Sequence, residues 1–189
     1  MLVLGLGNPG TEFEHTRHNV GADTVDLLAR RRGERFRVIR GARARAANIR
    51  VDGHRVVVAV PQTYMNDSGM AAHSLVRRYG IEQLDRLVVV HDELDLPVGR
   101  VKVKAGGGTA GHNGLKSISA HLHDNSYLRV RIGIGKPPGR RSGTEHVLRR
   151  PGAKDRELLA VAVEQAADAV EAIVTQGVAE AMNRFNAEL

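Results

Sequence analysis

No cysteine occurs anywhere in the 189 residues. Disulfides, cysteine-bound zinc and a thiol nucleophile are therefore excluded together, and the absence fits a reducing compartment. Tryptophan is also missing and aromatics make up only 3%, so the core must rest on Val, Leu, Ile and Ala. No apolar run approaches the length of a membrane span. No basic segment followed by an apolar stretch and a cleavage site stands at the N-terminus. The expectation is a cytoplasmic chain with no membrane partner. Apolar residues themselves are plentiful, at 42%, which suits a folded globular chain with a real core.

Negative charge is in shorter supply than positive. Against 21 Asp and Glu stand 28 Lys and Arg, a formal charge of +7. The excess is mostly Arg: "RRRGERFRVIRGARARAANIR" from Arg30 to Arg50, then Arg100, Lys102, Lys104, Arg129 and Arg131, then "KPPGRR". Such a balance points to an anionic partner, most often nucleic acid. A solvated Arg-rich surface explains the composition equally well.

The hydrophobic pattern mixes strands and helices with short connections and no repeat. Leu2–Leu6 reads as a buried strand. Thr16–Arg31 reads as a helix with Thr16 as its N-cap and Val20, Thr24, Leu27 and Leu28 on its apolar face. Phe36–Arg40 and Arg43–Val51 read as paired strands about Gly41, and Arg55–Val60 as a β-branched strand. Asp67–Tyr79 is a helix ended by Gly80, and Arg86–Val90 a buried strand. Val98–Ala105 and Tyr127–Gly135 alternate as half-exposed strands do, with a helix from His112 to Leu122 between them. A long helix from about Ala153 to Thr175 and a last one from Val178 to Ala187 close the chain. The expected fold is one α/β domain over residues 1–189, with a central twisted mixed sheet, helices on both faces and C-terminal helices on one side.

"GLGNPG" at Gly5 to Gly10 matches the G-x-G-x-x-G of a dinucleotide turn. That turn requires a helix to start within the motif. Here Pro9 occupies the turn and "TEFEH" delays the helix. The acidic residue expected at the end of a second strand is missing, because Asp23 and Asp26 lie within the first helix. Nicotinamide cofactors are therefore discounted, and with them an oxidoreductase.

In open α/β sheets, sites collect at the carboxyl ends of strands. Asn8 follows the first strand and Asn66 the Arg55–Val60 strand. "HDELD" follows Arg86–Val90 and carries His91, Asp92, Glu93 and Asp95. His112 and Asn113 open a helix after a glycine-rich loop, and "HTRHN" brings His15, His18 and Asn19. Each has a plainer reading: Asn8 as a turn residue, Asn66, Asp67 and Ser68 as helix caps, Glu93 and Asp95 as solvated loop carboxylates. His121 and His123 lack the further ligands that would make them a metal pair. If the three strands are parallel neighbours, two amides and a carboxylate meet on one rim. Without a thiol or a G-x-S-x-G elbow, a His–Asp pair activating water is the simplest hydrolytic device. His18 would lie in the first turn of its helix, whose positive end favours a neutral ring. Asp92 would orient that ring, and side-chain amides would hold water and an acyl carbonyl.

"GLGNPG", "TRHNVG", "PQTYMNDSG", "HDELDLPVG", "GGGTAGHNGLKSI" and "RVRIGIGKP" stand in the order and spacing of bacterial-type peptidyl-tRNA hydrolase. The resemblance runs from Leu2 to about Pro137. It implies an enzyme that cleaves the ester between a peptide and the terminal ribose of tRNA, recycling peptidyl-tRNA dropped by ribosomes. It implies a monomer that uses no metal or cofactor. It implies His18 as general base with Asp92 as its partner. Asn8, Asn66, Asn113, Met65 and Tyr64 become substrate-contacting residues. Lys104 and Arg131 resemble the family's basic clamp for the tRNA 5′-phosphate, and the remaining affinity would weaken with salt. Phe13 stands where the family usually has Tyr, and Ala110 replaces a common Gly. Residues 138–155 match poorly; in the family this neighbourhood is a mobile lid. A tRNA-binding protein of the same fold without catalysis is the alternative.

Overall fold

The computed structural model describes residues 1–188. Seven strands form one mixed sheet in the order β2-β3-β4-β1-β5-β7-β6. They are β1 (Leu2–Gly5), β2 (Arg37–Ile39), β3 (Ala44–Val51), β4 (His54–Pro61), β5 (Leu87–Glu93), β6 (Val101–Ala105) and β7 (Leu128–Gly133). The helices are α1 (Val20–Arg31), α2 (Ser68–Arg78), α3 (Asn113–Leu122), α4 (Gly143–Val147), α5 (Ala153–Gln176) and α6 (Val178–Asn186). β4, β1, β5 and β7 run parallel, and antiparallel β3 and β6 flank them. The parallel run buries both faces, which is why β1, β4 and β5 read as near-continuous apolar stretches.

Alternation along each strand divides the core into two layers. Val3, Val58, Val88 and Val90 face α1, α5 and α6. Leu2, Leu4, Leu87 and Val89 face α2 and α3. With so few aromatics, Ala162, Ala166, Ala167, Ala169 and Ala172 line the buried side of α5 and let it lie close to the sheet. Part of the Arg excess serves the fold. Arg31 reaches Glu164, Asp168 and Glu171 at 2.6, 2.9 and 3.1 Å, which ties α1 to α5.

Several expected boundaries shift for identifiable reasons. α1 begins at Val20, because residues 17–19 form a separate 3-10 turn. Thr16 is not its cap: the Thr16 hydroxyl donates backwards to the Phe13 carbonyl at 2.8 Å. His18 therefore lies before the helix and not in its first turn. A second 3-10 turn, Met65–Asp67, precedes α2, and no side chain caps α2 at Asp67. β6 starts at Val101, since Gly99 adopts a left-handed φ of 89° and turns the chain. β5 extends to Glu93, so His91, Asp92 and Glu93 belong to a strand and are all buried. His121 donates to the Ser117 carbonyl and His123 ends α3 with φ 53°; each serves the helix end.

Gly5 of the opening motif serves helix packing, while Gly10, with φ 108°, serves the turn. A Cβ on Gly5 would lie 2.3 Å from the Gly21 carbonyl oxygen, and one on Gly21 would lie 2.1 Å from that of Val90. α1 thus crosses β1 and β5 at backbone contact, and this close approach sets where its leading turn falls. Gly21→Ala is expected to destabilise the protein by about 2 kcal/mol or more, since the clash is with main chain that cannot swing aside. Gly152→Ala, in open space, is expected to change stability by less than about 1 kcal/mol. Equal urea midpoints for the two variants would contradict this account.

Candidate active site

The carboxyl ends of β1, β4 and β5 share one rim. Asp92, on β5, is 2% exposed. Its Oδ2 stands 2.8 Å from His18 Nδ1 and its Oδ1 stands 2.8 Å from His112 Nε2. The tautomers follow from the remaining partners. His112 Nδ1 accepts the Gly114 and Leu115 backbone N–H groups at 3.1 and 3.3 Å, capping α3. His112 must therefore carry its proton on Nε2 and give it to Asp92. His18 likewise donates from Nδ1, which leaves Nε2 as a lone-pair acceptor with no protein partner among the described residues. These three side chains are close enough to hold a metal. Here both carboxylate oxygens already meet ring nitrogens at hydrogen-bond length, and the second nitrogen of His112 is committed to α3. Burial alone would raise the Asp92 carboxyl, but His112 and His18, with their hydrogen bonds, outweigh it and hold it well below the usual carboxylate range. His112 was visible in the sequence as a helix-start residue; its hold on Asp92 was not.

Around this triad lies a cavity of about 220 Å³, lined by His18, Asp92, His112 and Asn113 and roofed by Gly143, Thr144 and Val147 of α4. The roof is tied down. Arg17, next to His18, donates to the His146 and Arg149 carbonyls, and Arg150 donates to those of Glu14 and Thr11. Asn8 leaves β1 beside the triad. Its Oδ1 accepts the Met65 N–H at 2.7 Å, which links the first strand exit to the 3-10 turn after β4. Met65 is buried, its sulfur packed where a Cβ on Gly114 would fall. Asn66 is exposed in the same turn, and Tyr64 is exposed with its ring edge against Phe13. Asn8 lines a neighbouring groove with Arg45 and Gln62.

The sequence-predicted basic pair sits on β6 and β7. Lys104 pairs across the strands with Arg129, and Arg131 with Lys102. All four therefore share one face, with Lys104 and Arg131 diagonal to each other. Arg131 donates to Glu93 at 3.0 Å. Glu93 is thus a buried ion-pair partner, not a solvated loop carboxylate, because β5 continues past Asp92. Asp95 alone of that pair is in solvent, 3.8 Å from Lys136. Arg129 is buried and donates to the Gly107 and Gly108 carbonyls, so it shapes the glycine-rich loop ahead of His112.

His91, the residue before Asp92, is 1% exposed. Its Nδ1 donates to the Asp92 carbonyl, while Nε2 has no partner among the described residues. Burial, and then the nearby His112, lower its pKa from 6.5 to about 3. Between those values the unfolded chain binds a proton that the folded chain refuses. Stability is therefore full above pH 6.5 and falls as the pH drops toward 3, by up to about 1.4 kcal/mol per unit. Wild type is expected to lose about 2 kcal/mol more between pH 7 and pH 5 than His91→Asn, which keeps a donor for the carbonyl without the titration. Parallel pH profiles of the urea midpoint would remove His91 as the cause.

The family model described as Peptidyl-tRNA hydrolase matches residues 2–189. A curated protein of that name from Cutibacterium acnes is 48% identical over 195 residues, covering 98% of this chain and 97% of that protein. Another, from Nocardia farcinica, is 49% identical over 185 residues, covering 98% and 95%. The crystal structure of peptidyl-tRNA hydrolase from Acinetobacter baumannii superposes with a TM-score of 0.92 at 36% identity, covering 98% of this chain and 94% of that one. With near-complete coverage in sequence and in fold, and with the His–Asp pair in place, the chain belongs to the peptidyl-tRNA hydrolase family.

Proposed function

We infer that this chain hydrolyses the ester linking a peptide, or an N-blocked amino acid, to the 3′-terminal ribose of tRNA. The observation that carries the chemistry is the 2.8 Å contact of His18 Nδ1 with Asp92 Oδ2, from which the tautomer of His18 follows. Asp92 holds its Nδ1–H, so Nε2 is free to take a proton from water beside the cavity. The hydroxide so formed attacks the ester carbonyl carbon, and the carbonyl becomes an oxyanion. Collapse of that intermediate breaks the bond to the ribose oxygen, which takes the proton back from the imidazolium. Asp92 stabilises the imidazolium while it exists. Asn8 Nδ2, left over once Oδ1 accepts the Met65 N–H, donates to the acyl oxygen. Asn113 at the cavity edge holds the water or the substrate. Asn66, Met65 and Tyr64 contact the substrate.

Lys104 and Arg131 bind the 5′-phosphate of the acceptor arm. Glu93 fixes the Arg131 guanidinium in one orientation, which suits a clamp that measures the distance from a phosphate to the 3′ end. A fully paired acceptor stem places that phosphate correctly; an unpaired first base does not. The stretch 138–155 acts as a lid: α4 covers the cavity, and its release from Arg17 admits the tRNA 3′ end. We further read the protein as a cytoplasmic monomer that needs no metal or cofactor, since base, orienting carboxylate and donors all come from one chain.

N-blocked aminoacyl-tRNA, given to the protein with chelator present, is expected to release the blocked amino acid. Binding without release would favour a tRNA-binding protein of the same fold. His18→Ala is expected to lower turnover by about 10²- to 10⁴-fold with an unchanged thermal melting curve; near-wild-type turnover would overturn its role as base. Lys104→Ala is expected to reduce the preference for substrates bearing a 5′-phosphate over those lacking it. Equal losses on both substrates would remove the clamp.

A further inference from the structure

Asn19 occupies the position before α1 where an asparagine would ordinarily cap the helix. It makes no capping hydrogen bond. The helix does not need one there, because the Ala22 N–H, which a cap would serve, donates instead to the Leu6 carbonyl at 3.0 Å. The Asn19 amide is thus released for another task. Its Oδ1 accepts the Asn8 N–H at 2.9 Å and its Nδ2 donates to the Asn8 carbonyl at 3.0 Å. One side chain thereby grips both polar groups of a single residue's main chain, as a neighbouring strand would. Asn19 is only 7% exposed, and both bonds are partly buried. A Cβ on Gly7 would fall 2.9 Å from Asn19 Cγ, so the glycine preceding Asn8 leaves room for the amide to reach it.

We propose that Asn19 is a positioning residue that locks the Asn8 side-chain donor in fixed register with the base His18, and so controls how the acyl carbonyl is held relative to the attacking water. The proposal rests on the roles given above to His18 and Asn8. Its geometric basis is that one 3-10 turn, residues 17–19, delivers two adjacent side chains to two different strand exits. His18 goes to Asp92 at the end of β5, and Asn19 goes to Asn8 at the end of β1. The Asn8 main chain is then held by Asn19 and its Oδ1 by Met65, which leaves Nδ2 with a single direction. Without Asn19, the main chain of Asn8 loses both partners and Nδ2 its aim.

The test is a double-mutant cycle on turnover of N-blocked aminoacyl-tRNA, with thermal melting of each variant recorded. Asn19→Ala is expected to lower kcat/KM about tenfold or more through kcat, as loss of placement does. Asn19→Asp, which keeps an acceptor but sets a carboxylate oxygen against the Asn8 carbonyl, is expected to do the same and serves if the alanine variant folds poorly. In an Asn8→Ala background either change is expected to cost less than about threefold, because the group it aims is gone. The acidic limb of the pH–rate profile is expected to stay where it is in wild type, since the His18–Asp92 contact is untouched. Three results would overturn the role of Asn19: near-wild-type kcat/KM, the same multiplicative loss with and without Asn8, or a displaced acidic limb, which would show action through His18. Full activity of Asn8→Ala itself would instead remove the role of Asn8, and this proposal with it.

Discussion

A carboxylate shut away from water has to be compensated by its neighbours, and Asp92 meets that demand with two imidazoles, one at each oxygen. Much of the active-site order follows from this sharing. The His112 end is rigid, because its other nitrogen is committed to the first turn of α3. Asp92 is therefore anchored on one side and passes its orientation to His18 on the other. A carboxylate held by His18 alone could rotate with it. Held by both, it presents one oxygen to His18 in one direction, and the base is aligned before substrate arrives. His91 beneath it extends the same economy, with a buried neutral ring that bonds the Asp92 main chain.

The second constraint is the backbone contact of α1 with β1 and β5. Gly5 and Gly21 permit it, and it brings residues 17–19 to the strand ends. The leading turn then has two partners within reach at once, Asp92 and the main chain of Asn8. Arg17 in the same turn holds the segment that roofs the cavity. Three consecutive residues thus connect the α4 segment beside the cavity, the Asp92 carboxylate and the main chain of Asn8. A shift of α1 would disturb all three, which explains why the glycines at its crossing matter although none is near the chemistry.

The basic character divides in a similar way. Arg31 and Arg32 are consumed by the carboxylates of α5 and Arg129 by loop carbonyls. Net charge counts these with the exposed arginines of the β2–β3 hairpin, so composition could not distinguish a phosphate-binding face from internal ties.

Much of this was legible in one dimension. Short apolar runs identified the strands buried on both faces, alternation the half-exposed ones, and amphipathic spacing and end signals most of the helices; α4, five residues long, is too short to show such a pattern. The residues after the buried strands pointed to Asn8, Asn66 and Asp92, since a parallel sheet collects its strand ends on one rim, and two helix starts added His18 and Asn113. Three things lay beyond that reading. Glu93 passed for a loop carboxylate because strand length depends on the pairing of β5 with β7. Thr16 passed for the cap of α1 because capping preference is local, and the use of the Asn19 amide was hidden because the Leu6 carbonyl that takes the Ala22 N–H, and the Asn8 main chain that Asn19 holds, both lie more than ten residues away. His112 showed no sign of sharing Asp92, because which acceptor a ring nitrogen faces depends on how α3 docks. The sequence by itself determined the architecture, the family and the residue types of the site, which follow from periodicity and motif order. Tertiary structure alone decided the tautomers, the anchoring of the base and the use of the Asn19 amide, because each depends on groups distant in the chain that meet only when the sheet and its helices close together.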